Sequence, residues 1–322
     1  METYIGIDYG GTKLLIGEVD GEGRLLSGMR FETGKKSQGE IVKHLLECLE
    51  IFKEKTSLEG RLAGAGIGII GISDCRRGIW RSMNHEPGED IPLASMVSEI
   101  LGVPAAIDND VRSGVTAELL WGAGKFSRDF IYLSVGTGLA AGIVADGRII
   151  RGANQNAGEI GHITVKSSGD GICPCKRPGC AELTASGSGI SRNMKNRMGE
   201  CSTRLSMPKE DEPVDVREVF ELARQGDCLC KKAAEEAAMV LSEVIENLVR
   251  TTDPDTVVMG GGVMQDTWFL EQVKCRLHPS TVRGVKNGIR LSDLKPAQIG
   301  VIGAAAVGKL YVQNAAQKWS KD

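Results

Sequence analysis

The chain is predicted to be an α/β protein made of two related halves. Three observations predict this. Strand-like and helix-like segments alternate along all 322 residues. Residues 4–21 and 130–147 repeat one design, a β-hairpin whose turn is rich in Gly and Thr, as an internal duplication would leave. The length is generous for one domain and comfortable for two, each able to bury a core.

In chain order, "YIGID" reads as a strand, "GGTK" as its turn, "LLIGEVD" as the returning strand and "GEG" as the next turn. Residues 39–55 place Ile41, Leu45, Leu49 and Phe52 at helical spacing. "GAGIGIIG" (64–71) and "AAIDND" (105–110) read as buried strands, and 111–121 as a helix. Residues 129–150 repeat the opening: strand, Gly-Thr-Gly turn, apolar strand, Asp-Gly turn. The polar stretch 195–216 reads as a surface excursion within the second half. Residues 228–250 form a long amphipathic helix, "TVVMGGGVM" (256–264) a strand running into three glycines, and the end a helix of small residues.

Composition excludes several classes. Lys plus Arg (39) do not exceed Asp plus Glu (42) and no basic block occurs, so no nucleic-acid partner is expected. No apolar run is long enough to span a bilayer and the N-terminus reads as a strand, so a cytoplasmic protein without a membrane partner is expected. In that compartment the nine cysteines point to thiols or metal ligands rather than disulfides. The 42 glycines, outside any low-complexity tract, point to tight turns and to backbone that approaches ligands closely.

Three constellations carry chemistry. In Asp8-Tyr-Gly10-Gly11-Thr12-Lys13, the glycines uncover main-chain N–H groups, Thr12 adds a hydroxyl and Lys13 a charge, a set able to surround a phosphate. Asp8 could hold Mg²⁺ through water. A plain tight hairpin explains either loop alone; a second loop at Gly136-Thr137-Gly138 and the run Gly260-Gly261-Gly262 shift the balance to nucleotide binding. Asp108, Asn109 and Asp110 end a strand and enter a helix, where they could serve as a helix cap or as a carboxylate base for a hydroxyl nucleophile. His162, Cys173, Cys175 and Cys180 can supply the four ligands of a closed, structural Zn²⁺ site, the alternative being unligated thiols beside a core histidine.

"DYGGTK" (8–13), "SVGTGLAAG" (134–142), "RGANQNAGEIGH" (151–162), "CPCKRPGCAE" (173–182) and "VVMGGGV" (257–263) resemble, in order and over essentially the whole chain, the motifs of the ROK family of repressors, open reading frames and sugar kinases. The resemblance implies the actin-like ATPase (ribonuclease H-like) fold: two related α/β domains around a cleft. The small one would take residues 1–113 plus 304–322, the large one 114–303 with the zinc loop. It implies an ATP- and Mg²⁺-dependent kinase acting on a hexose or N-acetylhexosamine, at the 6-hydroxyl, with Asp110 as base. It further implies sugar binding by Asn109, Glu159, His162 and Glu182, with His162 bonding zinc through one ring nitrogen and the sugar through the other. The Gly10–Lys13 and Gly136–Gly138 loops would hold phosphates, Gly260–Gly262 would lie beneath the adenosine, and the chain would form a homodimer or homotetramer.

The chain departs from the family pattern at Val111 and Arg112, where small residues and Asn are usual, and at Ile70, where the kinases carry Pro. "HEPGEDIPL" (85–93) also lacks the Trp that commonly follows Pro-Gly. These differences bear on which sugar is held more than on the chemistry. A sugar-binding sensor with weak or no catalysis is the alternative; a DNA-binding repressor is disfavoured because the first strand begins near residue 3.

Overall fold

The computed structural model describes residues 1–34, 36–83, 88–169, 171–206, 208–209 and 212–319. Of the stretch 85–93 that lacks the Trp, residues 85–87 lie outside the described residues, whereas Glu89, which follows the Pro-Gly pair, lies within them. In chain order the elements are β1 (Glu2–Tyr9), β2 (Lys13–Asp20), β3 (Leu25–Glu32), α1 (Gln38–Lys55), β4 (Arg61–Ile69), β5 (Ile72–Asp74), β6 (Ile79–Ser82), α2 (Leu93–Leu101), β7 (Ala105–Asn109) and α3 (Asp110–Trp121). There follow β8 (Phe130–Val135), β9 (Leu139–Ala145), β10 (Arg148–Ile149), α4 (Glu182–Ala185), α5 (Gly187–Asn196), α6 (Val216–Arg224) and α7 (Cys228–Thr252). The last are β11 (Thr256–Gly260), α8 (Thr267–Lys274), α9 (Pro279–Val282), β12 (Ile289–Leu291) and α10 (Ile299–Trp319).

Two compact units result. One comprises Met1–Phe126, Ile149–Ala157 and Asp293–Asp322, the other Ser127–Arg148 and Gly158–Ser292. Each holds a five-stranded sheet, in the order β3-β2-β1-β4-β7 and β10-β9-β8-β11-β12. In both, the central strand runs antiparallel to its hairpin partner and parallel to the strand on its other side. The two sheets therefore share one topology, which is the duplication expected from the two hairpins.

In the first unit both sheet faces are covered. Leu45, Leu49 and Phe52 of α1 and Val97 of α2 pack with Ile5, Ile7 and Ile67 on one face; Ala117 and Trp121 of α3 and Val301 and Ala305 of α10 pack with Tyr4 and Val19 on the other. Helix α1 begins with a capping box in which Glu40 accepts the Ser37 main-chain N–H at 2.7 Å. Helix α10 lies backbone-to-backbone on the sheet: a Cβ on Gly6 would meet the Val301 carbonyl oxygen at 1.9 Å, and one on Gly66 the Ala304 carbonyl oxygen at 1.8 Å. The small residues of α10 and the glycines of β1 and β4 are thus two sides of one contact. Gly66→Ala must push α10 outward, and a loss of at least about 3 kcal/mol is expected in a urea melt; a loss under about 1 kcal/mol would contradict this packing.

The second unit is organised by α7, whose Leu229, Ala233, Ala237, Leu241, Val244 and Leu248 run along one core with Leu133, Val257 and Phe269. Asp227 caps α7 by accepting the Cys230 N–H at 3.1 Å. The described residues of the polar stretch 195–216 are largely irregular, but Leu205 and Val214 anchor them in that core. Periodicity missed β3, the β5–β6 hairpin and α2, which are short or half-exposed and so carry weak patterns.

Candidate functional site

In the first unit β1, β4 and β7 are parallel neighbours, so their carboxyl ends share one edge of the sheet, which is where α/β sheets place their ligands. Asp8, Gly68 and Asp108 lie in one row across these strands. Beyond Asp8, residues 10–12 form the turn into β2, closed by the Gly10 N–H donating to the Lys13 carbonyl at 2.9 Å.

Asp110 is the first residue of α3, and its carboxylate is exposed, with Oδ1 accepting the Val111 N–H at 2.9 Å. Asn109 is the N-cap: its Oδ1 accepts the Arg112 N–H at 2.7 Å. The cap reading is therefore correct for Asn109, and it aims the next residue, Asp110, outward. Asp8 is pushed up to about 6, first by burial and then by the neighbouring Asp110 carboxylate, with Lys13 opposing. Asp8 also fits against the start of α10, where a Cβ on Gly300 would meet its Oδ2 at 2.1 Å. A carboxylate kept from ionising freely by burial and by a second carboxylate suits a cation, so Asp8 fits the Mg²⁺ role.

The second unit carries the matching turn. Residues 136–138 join β8 to β9, closed by the Gly136 N–H donating to the Gly138 carbonyl at 3.0 Å. The start of α5 buttresses it: the Gly187 N–H donates to the Gly136 carbonyl at 2.8 Å and the Ser188 hydroxyl to the Thr137 carbonyl at 2.7 Å. Ser186 caps that helix by accepting the Gly189 N–H at 3.0 Å. Sequence reading missed this support, although "SGSG" at 186–189 is a recognisable helix start.

The glycines of these loops divide by physical need. Gly260 and Gly261 are demanded by the fold, since a Cβ would meet the Tyr132 ring at 2.4–2.7 Å and the Val135 carbonyl at 2.3 Å. A Cβ on Gly11, Gly136 or Gly262 meets nothing within 4 Å, and none of the three has a left-handed φ. Packing within the chain does not call for glycine there; an outside group that must approach the backbone would.

The zinc-loop residues come together as the spacing predicts. One ligand atom from each of His162, Cys173, Cys175 and Cys180 lies within 4.8 Å of the others. His162 Nδ1 is 3.4 Å from Cys173 Sγ, and Cys175 Sγ is 3.5 Å from Cys180 Sγ. Ligands about 2.3 Å from a tetrahedral Zn²⁺ stand about 3.8 Å apart, so the set fits that ion. Burial and the neighbouring cysteines push the Cys180 thiol up to about 12, whereas Cys175 is lowered, chiefly by the Arg177 main-chain N–H. A divalent cation would supply the charge that lets all three thiols ionise together.

The same loop aims two carboxylates. Glu159 is half-buried and precedes the short turn Ile160–His162. Glu182 begins α4, and its Oε2 accepts the Leu139 N–H at 3.0 Å. That bond ties the zinc loop to the Gly136–Gly138 turn. Gly158 and Gly161 let the GEIGH segment seat on β9: a Cβ on either would meet the Ala141 or Leu139 carbonyl, at 1.9 and 2.3 Å.

Among known proteins, the chain is 30% identical over 308 residues to a glucokinase of Halalkalibacterium halodurans, covering 93% of each chain. It is 30% identical over 273 residues to an N-acetylmannosamine kinase of Citrobacter koseri, covering 84% of this chain and 87% of that one. A xylose repressor of Caldicellulosiruptor bescii is 30% identical over 260 residues, 80% of this chain and 64% of the repressor. Among solved structures, a ROK hexokinase from Thermus thermophilus matches with a TM-score of 0.77 and 31% identity over 97% of this chain and 99% of that one. A ROK glucokinase from Streptomyces griseus, in complex with glucose and AMPPNP, matches with a TM-score of 0.77 and 28% identity over 96% and 99%. The fold is thus the actin-like ATPase fold of those sugar kinases. With the ROK family model matching residues 4–311, the chain belongs to the ROK family.

Proposed function

We propose that this protein is an ATP-dependent sugar kinase that phosphorylates a hexose or N-acetylhexosamine, at the 6-hydroxyl, with Asp110 as general base. The observation that carries this reading is the exposed Asp110 carboxylate, set beside Asp8 at the carboxyl ends of the parallel strands β1, β4 and β7, in a chain of this family. A sugar hydroxyl is a weak nucleophile, and Asp110 accepts its proton as the oxygen attacks the γ-phosphorus, whose bond to the β–γ bridging oxygen breaks to release ADP. Asn109, held by its capping bond, keeps its amide nitrogen for a neighbouring hydroxyl. The main-chain N–H groups of Gly11 to Lys13 and of Thr137 and Gly138 receive the phosphates within the Gly10–Lys13 and Gly136–Gly138 turns, and Gly262 leaves room beside the adenosine. Mg²⁺ held through Asp8 would neutralise charge on the transferring phosphate.

His162, Cys173, Cys175 and Cys180 would hold a structural Zn²⁺, with no open position for hydrolytic chemistry. With Nδ1 turned to the metal, the His162 ring is fixed so that Nε2 can meet a sugar hydroxyl beside Glu159 and Glu182. Metal analysis of purified protein should find about one zinc per chain, and Cys180→Ser close to none; well under one zinc in the wild type rejects the site.

ATP turnover over a sugar panel that includes glucose and N-acetylmannosamine, with mass measurement of the product, tests the function. One sugar should gain a phosphate. The likeness to a xylose repressor supports a second reading, a sugar sensor without turnover; sugar binding with no phosphorylated product would favour it. Among the described residues no helix is long and apolar enough to cross a membrane.

A further inference from the structure

Two costly features of the first unit meet at Arg112, two positions after Asp110. The first is a buried ion pair. Asp108 is fully buried, Arg112 is 2% exposed, and Arg112 Nε donates to Asp108 Oδ1 at 2.5 Å. Arg151 Nη2 stands 2.8 Å from the second Asp108 oxygen. Removing these charges from water offsets most of their attraction, so stability alone is a weak reason for the arrangement.

The second is Gln155, a non-glycine residue at φ +57°, in the left-handed region. Three bonds hold it there. Its carbonyl accepts from Arg112 Nη1 at 2.8 Å, its Oε1 accepts the Cys75 N–H at 2.8 Å, and its Nε2 donates to Asp74 Oδ1 at 2.9 Å. Asp74 is in turn bound by Arg81 Nη2 at 2.8 Å. Strained backbone persists where its surroundings over-determine it, and such places cluster at working sites.

We propose that Arg112 is a positioning residue. One planar guanidinium spans Asp108 at the end of β7 and the Gln155 carbonyl in segment 149–157, while the Arg112 main-chain N–H is bound by Asn109. The sugar-facing pair Asn109–Asp110 is thereby braced on both sides and joined to the segment that continues directly into Gly158 and Glu159. Arg112 touches no substrate; it fixes where the sugar-binding groups of this unit stand. This role rests on the sugar-kinase reading.

Arg112→Lys keeps the charge but cannot span both acceptors. It should raise the sugar KM, and the sugar Kd by calorimetry, about tenfold or more, with the ATP KM within about twofold. Glucose and N-acetylmannosamine serve as probes, whichever the wild type binds tighter. Gln155→Gly gives up the side-chain bonds to Cys75 and Asp74, as Gln155→Ala does, but keeps the carbonyl and takes φ +57° without strain, so its sugar KM should rise less than that of Arg112→Lys. Gln155→Ala disfavours that conformation and should exceed Gln155→Gly severalfold, a comparison that stands even if Arg112→Lys fails to fold. Unchanged sugar binding in Arg112→Lys, a parallel rise in ATP KM, or equal values for Gln155→Gly and Gln155→Ala would each overturn the proposal. A wild type that binds no sugar sinks the kinase reading and this role together, whereas unchanged binding in Arg112→Lys sinks this role alone.

Discussion

Asp110→Asn is expected to lower kcat about 10²–10⁴-fold while the sugar KM stays within about threefold, because general-base assistance is realised in the transition state. The substitution is nearly isosteric. The helix cap resides in Asn109, so α3 keeps its start. An Asn at the first turn loses one favourable charge at the helix N-terminus, a loss of about 0.5 kcal/mol. Steady-state kinetics with a coupled ADP readout measures the effect. A kcat within about fivefold of wild type would remove Asp110 from the mechanism; a tenfold rise in sugar KM with unchanged kcat would make it a binding group only.

Asp8→Asn should do two opposite things: abolish most turnover and stabilise the fold near neutral pH. The carboxyl titrates at about 6 in the folded chain against an ordinary value of 3.8. Between those values the folded state keeps a proton that the unfolded state has lost. Stability therefore falls as pH rises through the window, and the full penalty is present above about pH 6. The rise from 3.8 to about 6 corresponds to a penalty of at most about 3 kcal/mol. Asn removes it, so the variant should melt later than wild type at pH 7.5, with the difference shrinking toward pH 4. Asp110→Asn removes the neighbouring charge and should bring the Asp8 transition down. Equal denaturation midpoints for wild type and Asp8→Asn at pH 7.5 would contradict this.

Much of the site was legible because its chemistry is local in sequence. The turn from Asp8 to Lys13, the turn at 136–138 and the zinc ligands from 162 to 180 each lie within one short stretch, so residue type and spacing carry the signal. What was not legible depends on contacts between distant segments. Arg112 reads as a departure from a pattern until its bond to Gln155, 43 positions later, is seen. Gly300 reads as one small residue in a helix of small residues, yet it makes room for Asp8. By residue type Asn109 suits a cap or a ligand, and the capping bond shows that its oxygen is engaged while its amide nitrogen is not part of that bond. Residues 149–157 pack with the first unit although both flanking segments belong to the second. No local pattern marks such an exchange.

Sugar-dependent ADP release, measured side by side in wild type and Asp110→Asn at saturating Mg-ATP, decides whether Asp110 is the base of a sugar kinase. Wild type should turn over at least one hexose or N-acetylhexosamine, with a rate at least about 10²-fold lower in the variant. Sugar binding without ADP release above that of the variant would contradict that role.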